Sequence, residues 1–281
     1  VSPRVAFQGE PGAFAEDAVL AFFSAPDVMA VPTWRAVFEA VRHGTADAGV
    51  VPVESSMAGT IRETFDLLAE FDLAIVGEAS VPVRLALLAR PGTTADEIER
   101  VYSHPQALAQ ADAFLRTRDW QVLTTYNTAG AAKQVAEGTD AGSAAIASPR
   151  AGELYGLAIV AADVQTGADN RTRFAVLARD GGPHDWRRRD LPLTDPRTTL
   201  AFAVRNVPGS LYQCLGAFAT RGVNLTRLES RPTRTARWEY VFWADVDGDP
   251  AEPLLAGALA ELRDHCEMVR LLGTYPRAPE D

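Results

Sequence analysis

Lysine is almost missing from this chain: of its 27 basic residues 26 are arginine, and Lys133 stands alone. Against 37 acidic residues and a net charge of −10, no basic stripe with interleaved aromatics runs along any segment, so a nucleic-acid partner is not expected. Cysteine is equally scarce. Cys214 and Cys266 lack the spacing of a metal site, both fall in segments that read as secondary structure, and buried free thiols are expected. The four histidines, His43, His104, His184 and His265, form no HExxH or other ligand pair, which argues against a metal. No apolar run approaches the roughly 20 residues of a membrane span. The first residues, VSPRVAFQGE, have neither a charged leader nor a long apolar region, and a cytoplasmic location is expected.

What is present is a core: 281 residues that are 47% hydrophobic can build one large or two medium domains. RVAFQ (4–8) is β-rich, GEPG breaks it, and AFAEDAVLAFF sets Phe14, Ala18 and Phe22 at helical spacing. The pattern repeats in VMAVP with TWRAVFEAVRHG and in DAGVVPV with GTIRETFDLLAEF, an alternation that predicts an α/β sheet with parallel strands. Between residues 73 and 92 two β-like runs follow each other without a helix, which predicts a crossing into a second α/β lobe. There TADE (94–97) is a capping box, and Pro105 and Pro149 stand at the first position of helices expected over 105–117 and 149–156. TRFAVLA then returns a strand to the first lobe. Two lobes joined by crossing strands enclose a cleft, the default ligand site.

Residues 181–197 mix Gly, Pro and charge without periodicity and read as a linker. Beyond it, TTLAFAVRN, PGSLYQCLGAFATRG, VNLTRLESRP, WEYVFWADVDG, AEPLLAGALAELRDH and CEMVRLLGTYP alternate as βαββαβ, the ferredoxin-like plait.

Three stretches offer chemistry. In DNRTRFAVLAR a threonine stands between two arginines at a strand entrance; on an extended chain Arg171 and Arg173 point to one side and Thr172 to the other, unless a bend rotates them. Arginine suits forked bonds to carboxylates and threonine can donate one proton, although a solvated polar strand end has the same letters. In VVPVESSMAGT the residues Glu54, Ser55 and Ser56 end a parallel strand, where open α/β sheets bind ligands; ordinary helix capping is the plainer reading. In YSHPQ, His104 before a proline is more often a helix cap than a base. GEPGAFAEDA has neither GxGxxG nor a Walker lysine, so a nucleotide is disfavoured.

Taken together, VAFQGEPGAFAEDA, GVVPVESSMAGTIRETFDLL, YSHPQALAQADAFL, NTAGAAKQVAEG, AAIASPRAGELYGLAI and NRTRFAVLAR resemble, in order and spacing, the prephenate dehydratase family. PGSLYQCLGAFATRGVNLTRLESRP is similar to the phenylalanine-sensing ACT domain that follows it. The resemblance implies an α/β fold with a bilobal catalytic domain at 1–180, built of two α/β lobes like type II periplasmic binding proteins. Lobe one would take about 1–78 and 165–180, lobe two about 79–164, and the ferredoxin-like ACT domain 198–281.

It also implies conversion of prephenate to phenylpyruvate with loss of carbon dioxide and water, with no metal or organic cofactor because ring aromatisation drives the elimination. Thr172 would donate toward the departing hydroxyl and Arg173 would anchor a carboxylate. A threonine hydroxyl is no free acid, so Glu54 is the nearest candidate for a relay. Gln8, Ala13, Ser55, Ser56, Asn127, Thr128, Ser148, Asn170 and Phe174 would complete the substrate site. Phenylalanine would bind between the ACT domains of two chains in a homodimer or homotetramer, at Gly209, Ser210, Leu211, Tyr212, Asn224, Leu225, Glu229, Ser230 and Arg231. The chain departs from the family's common pattern at Ser55, where Asn is usual, and at Ala13 and Ala15, where Thr and Ser are. FQGEPGAFAE is also similar to members that accept arogenate, so arogenate dehydratase is the nearest alternative. A non-catalytic binder of small carboxylates is a more distant one.

Overall fold

The computed structural model describes residues 2–167, 169–179, 185–186, 195–205, 207–232 and 240–279. Most of the expected linker at 181–197 lies outside the described residues. The chain begins with β1 (Arg4–Gln8), α1 (Phe14–Phe22), β2 (Asp27–Val31), α2 (Trp34–Arg42), β3 (Ala48–Ser55), β4 (Gly59–Thr60), α3 (Arg62–Glu70) and β5 (Ala74–Pro82). It continues with β6 (Ala86–Ala89), β7 (Arg100–Ser103), α4 (Pro105–Gln110), α5 (Asp112–Leu115), β8 (Gln121–Thr124), α6 (Thr128–Glu137), β9 (Ser143–Ala147), α7 (Pro149–Tyr155) and β10 (Ala158–Ala161). Then come β11 (Arg171–Ala178), β12 (Pro196–Val204), α8 (Ser210–Ala219), β13 (Leu225–Pro232), β14 (Tyr240–Asp247), α9 (Pro253–His265) and β15 (Cys266–Pro276). No described helix is long and apolar enough to cross a membrane.

These elements build three sheets, ordered β2-β1-β3-β11-β5, β10-β6-β9-β7-β8 and β13-β14-β12-β15. In the first, β1, β2 and β3 run parallel, as the alternation of strands and helices predicts, and β11 comes back from the second lobe antiparallel to both β3 and β5. The second lobe is likewise mixed: β7, β8 and β9 are parallel, β6 and β10 are not. The third sheet, with α8 and α9 on one face, has the expected plait connectivity.

Two boundaries differ from expectation. The first sheet holds the chain through Pro82, so the crossing lies at 83–85 rather than 78, because β5 pairs with β11 all the way from Ala74↔Ala178 to Pro82↔Arg171. There the two crossings meet, with the Val83 amide donating to the Asn170 carbonyl at 2.7 Å. The helix expected over 105–117 breaks at Ala111 (φ −99°, ψ 9°) into α4 and α5. Capping followed the sequence elsewhere: Thr94 and Glu97 form the capping box, and Pro105 and Pro149 open their helices.

Burial explains how the parts are held. One apolar cluster joins the two lobes through Phe7, Phe22, Leu88 and Ala151. Another lies between the first lobe and the C-terminal sheet and includes Phe38, Phe65, Phe71, Trp243, Leu272 and Tyr275. Both contacts are tight enough to require glycine. A Cβ on Gly12 (φ 87°) would lie 2.9 Å from the Ala151 Cα, and one on Gly273 would lie 1.9 Å from the Ile75 carbonyl oxygen.

Candidate active site

A cavity of about 420 Å³ opens between the lobes at the C-terminal ends of β1 and β3. That volume lies within the usual range for a small-molecule site, about 300–1,000 Å³. Gln8 ends β1 at its edge, Ala13 and Phe14 open α1, and Thr33 and Trp34 open α2. The second lobe contributes His104, Tyr126, Asn127 and Thr128, and Ile61, Val83, Leu85 and Phe174 supply apolar wall.

Ser55 and Thr172 both line the cavity and are direct cross-strand partners in the β3/β11 ladder, which sets the two side chains beside each other on one face. A bulge follows at once: Arg173 pairs with Glu54 but Phe174 with Pro52, leaving Val53 as the extra residue on β3. Bulges re-aim side chains: this one brings Ser55 and Pro52, three residues apart on β3, to the cavity, which Thr172 and Phe174 reach by simple alternation on β11. The Ser55 hydroxyl oxygen accepts from the Met57 and Ala58 amides, each at 3.3 Å, so its proton is left to point elsewhere. The Thr172 hydroxyl makes no hydrogen bond among the described residues.

No arginine or lysine lines this cavity among the described residues. Positive potential comes instead from the N-termini of α2 and α6, whose first turns carry no acid, and from that of α1, where Glu16 and Asp17 oppose it but are paired with Arg150. Thr33 caps only the Ala36 amide and Asn127 only that of Gly130; Ala13 caps nothing with its side chain. His104 accepts from the Gln106 amide through Nδ1 at 3.2 Å, which assigns the proton of the neutral ring to Nε2. Burial lowers its pKa below the ordinary histidine value, so the ring is neutral at pH 7. At the rim Glu10 of the first lobe binds two groups of the second, Lys133 at 3.0 Å and the Tyr126 hydroxyl at 3.1 Å.

Arg173 and Glu54 are not in this cavity. Alternation along β11 turns Arg173 to the opposite face, into a second, polar cavity of about 420 Å³ against the C-terminal domain, and Glu54 follows on β3. Arg173 donates to Glu54 at 2.8 and 3.2 Å, to Glu78 of β5 at 3.1 Å and to Asp245 of β14 at 2.9 Å. Arg197 binds both Glu78 oxygens at 2.9 and 2.8 Å, and the Ala278 amide binds Glu78 at 2.7 Å. Asp245 is 1% exposed. Burial alone would raise its pKa, but Arg173 and Arg227 outweigh that and hold it below the ordinary carboxylate range. Burial would also lower the pKa of Arg173, and Asp245 and Glu78 hold it above its usual value instead. The expected carboxylate anchor is thus already neutralised by three acids of its own chain.

The other expected substrate residues divide. Gln8, Ala13, Ser55, Asn127, Thr128 and Phe174 line the cavity; Ser56, Ser148 and Asn170 do not. Ser56 pins the crossing by bonding the Asp169 carbonyl and the Arg171 amide, and Ser148 joins the lobes by donating to the Gly12 carbonyl at 2.8 Å. Buried Asn170 is held by Gln110 at 3.0 Å. Thr33, Trp34, Glu63 and Tyr126 line the cavity without having been singled out, since helix starts and rims carry no distinctive letters.

The nine effector candidates also divide. Gly209 (φ 85°) precedes α8, Ser210 is buried, and Tyr212 is 82% exposed. Asn224 binds Asp247 at 3.2 Å. From Arg227 onward the odd residues of β13 face the catalytic lobe: Glu229 accepts from Thr60 at 3.2 Å and Arg231 donates to Asp66 at 2.6 Å. Leu228 and Ser230 are exposed on the other face, half-buried Leu225 packs against the core under α8 and α9, and Thr226, at the irregularity, lines the polar cavity.

Comparison with known proteins matches residues 5–182 to the family described as prephenate dehydratase and residues 198–264 to the ACT domain. Arogenate dehydratase 5, chloroplastic, of Arabidopsis thaliana is 39% identical over 293 residues, covering 97% of this chain and 67% of that protein. The prephenate dehydratase of Arthrobacter aurescens, solved in complex with L-Phe, is 34% identical with a TM-score of 0.87, covering 98% of this chain and 90% of that one. A solved protein described as a novel type of quorum quenching acylase is 36% identical with a TM-score of 0.87, covering 98% of each chain.

Proposed function

This chain belongs to the prephenate dehydratase family, and we propose that the interlobe cavity converts prephenate to phenylpyruvate, carbon dioxide and water under the control of phenylalanine at the ACT domain. The observation that carries the reading is the pair of hydroxyls, Ser55 and Thr172, side by side in a cavity with helix N-termini and apolar walls. In the reaction the bond from the ring to its carboxylate breaks, that electron pair enters the ring, and the ring expels its hydroxyl, which takes up one proton, ultimately from solvent, to leave as water. The Thr172 hydroxyl donates a hydrogen bond to the departing oxygen as charge develops there, with Ser55 as a second donor. The amides at the starts of α1, α2 and α6 hold the carboxylate that is retained, while Phe14, Ile61 and Phe174 keep water from the one that leaves. His104, Glu63 and Tyr126 are the titratable groups that line this cavity among the described residues, in place of Glu54.

One observation favours arogenate as a second substrate. Glu63 puts a carboxylate in a cavity without arginine or lysine among the described residues, a match for an ammonium group, and the relative from Arabidopsis thaliana is named for arogenate. Acyl-group hydrolysis fits less well, because neither hydroxyl donates to a base among the described residues.

At the ACT domain, Gly209, Ser210, Leu211 and Tyr212 at the start of α8 and Asn224, Leu225, Glu229, Ser230 and Arg231 around β13 form the effector region. The outer edge of β13 is unpaired among the described residues, and Tyr212 and Leu228 are exposed near it in sequence, which supports a second copy docking there. Cys214 and Cys266 are buried and free, with sulfurs 3.5 Å apart, consistent with the reducing cytoplasm.

Parallel incubation with prephenate and with arogenate, following phenylpyruvate and phenylalanine, tests the reading. Turnover that disappears in Thr172→Ala is expected; turnover of neither substrate would instead support a binding protein.

A further inference from the structure

We propose that Arg173 is a positioning residue through which the ACT domain sets the placement of Thr172, by a contest between Arg173 and Arg227 for one oxygen of Asp245. The proposal rests on the dehydratase reading above. Its first element is covalent. Thr172 and Arg173 are consecutive on β11, so a planar trans peptide joins the hydroxyl in the substrate cavity to the guanidinium at the domain interface. Ser55 and Glu54 repeat the arrangement on β3. Each hydroxyl of the pair therefore has a neighbour gripped from behind.

The second element is how little slack the grip leaves. Asp245 is fixed through its other oxygen by the Thr199 hydroxyl at 2.8 Å, and Thr199 is bonded to the Tyr275 hydroxyl at 2.7 Å. Glu78, the partner of Arg173 on β5, is itself held by Arg197 and Ala278, both C-terminal to the catalytic lobes. The catalytic strand is thus tied on both sides to one buried ionic cluster. Such clusters add little net stability, since desolvation offsets attraction, but losing a partner from one is costly. A cluster of that kind favours a few discrete arrangements over a continuum.

The third element supplies the second arrangement. Arg227 lies on β13 between Leu225 and Glu229, and its side chain is 9% exposed. It stacks on the Phe65 ring at 4.1 Å and stands 3.8 Å from Asp245 Oδ2, the oxygen that Arg173 already binds at 2.9 Å. Nε and Nη2 of Arg227 are buried and have no hydrogen-bond partner. A displacement of β13 by roughly 1 Å brings Arg227 to hydrogen-bonding distance of Asp245. That oxygen can accept from both, but the two guanidinium groups repel each other as they converge on it, the Arg173 bond lengthens, and Thr172 moves with its neighbour. Phenylalanine shifts the balance to the extent that it binds the two positions of β13 unequally.

The test compares wild type, Arg227→Met and Asp245→Asn, with kcat, KM and the phenylalanine dependence of the rate measured on the full chain. Methionine keeps an apolar partner for Phe65 and removes the competing cation. For Arg227→Met, basal kcat within twofold of wild type is expected, with at least a threefold smaller phenylalanine response and phenylalanine affinity by calorimetry within threefold. For Asp245→Asn, kcat per folded molecule, with the folded fraction read by circular dichroism on the same preparation, should fall at least tenfold while KM changes less than threefold; simple loss of folded enzyme would leave kcat per folded molecule unchanged. Should Asp245→Asn fail to fold, Arg227→Met decides alone. Wild-type turnover with an intact phenylalanine response in the variants overturns the proposal and leaves the dehydratase reading standing. A turning-over wild type indifferent to phenylalanine overturns it as well. A wild type that turns over neither substrate overturns both.

Discussion

Replacing Thr172 by valine removes one hydroxyl and little else. Valine has nearly the same shape and suits a strand at least as well, and the hydroxyl makes no hydrogen bond among the described residues, so no partner is stranded. The expected change in stability is under about 0.5 kcal/mol, which for a chain of this size moves Tm by at most about 2 °C. Activity should respond on another scale. Loss of one preorganised donor at a developing anion costs about 2.7–4 kcal/mol, a fall in kcat of about 10²–10³. KM should stay within about threefold, because helix N-termini rather than Thr172 hold the retained carboxylate. Steady-state kinetics with the preferred substrate and thermal melting followed by circular dichroism measure both quantities on one preparation. A folded Thr172→Val enzyme with less than a fivefold fall in kcat would refute the hydroxyl's role. So would a rise in KM at constant kcat, which would make Thr172 a uniform binder.

Three other outcomes follow from the geometry. Because burial holds His104 below its ordinary pKa, its share of stability is complete above about pH 6.5 and is lost as pH falls through the folded value. His104→Asn, which keeps a capping side chain, should therefore lose less Tm than wild type between pH 7.5 and pH 5.5, and an identical loss would count against this. Gly273→Ala drives a methyl into the Ile75 carbonyl oxygen and should cost about 2 kcal/mol or more in denaturant unfolding; a neutral substitution would show that the domain contact is loose. Cys266, its thiol pushed up to about 12 by burial and by the Cys214 contact, should resist alkylation at pH 8 until the chain unfolds, which mass spectrometry of iodoacetamide-treated protein reads directly.

Much of this was legible in the letters. The alternation of β-rich runs with helical spacing gave two lobes and a plait, and prolines and cap residues gave helix starts. The late crossing was not legible because the run from Leu73 to Ala89 stays apolar on both sides of it, and only the β11 partner shows where the first sheet stops. The helix break at Ala111 is silent for the same reason: apolar spacing continues through it into Leu115. At the site, Thr172 could be read as a hydroxyl at a strand mouth. Simple alternation already separated it from Arg173, and the expectation that both touch substrate went against that physics. The helix-start amides of α1, α2 and α6 beside the cavity could not be read, because a backbone N–H has no letter of its own.

The two faces of β13 also constrain how this protein can be rebuilt. Arg227, Glu229 and Arg231 address the catalytic lobe while Leu228 and Ser230 look away, and the register against β14 is set by a single irregularity between Leu225 and Arg227. One inserted residue would leave a strand of the same composition in the same sheet, yet it would exchange the two audiences. Such a chimera would lose the Thr60–Glu229 and Arg231–Asp66 contacts and the Arg227 stack on Phe65, and with them the fit between the domains. Domain grafts between relatives should therefore be matched by the parity of this strand and not by its length.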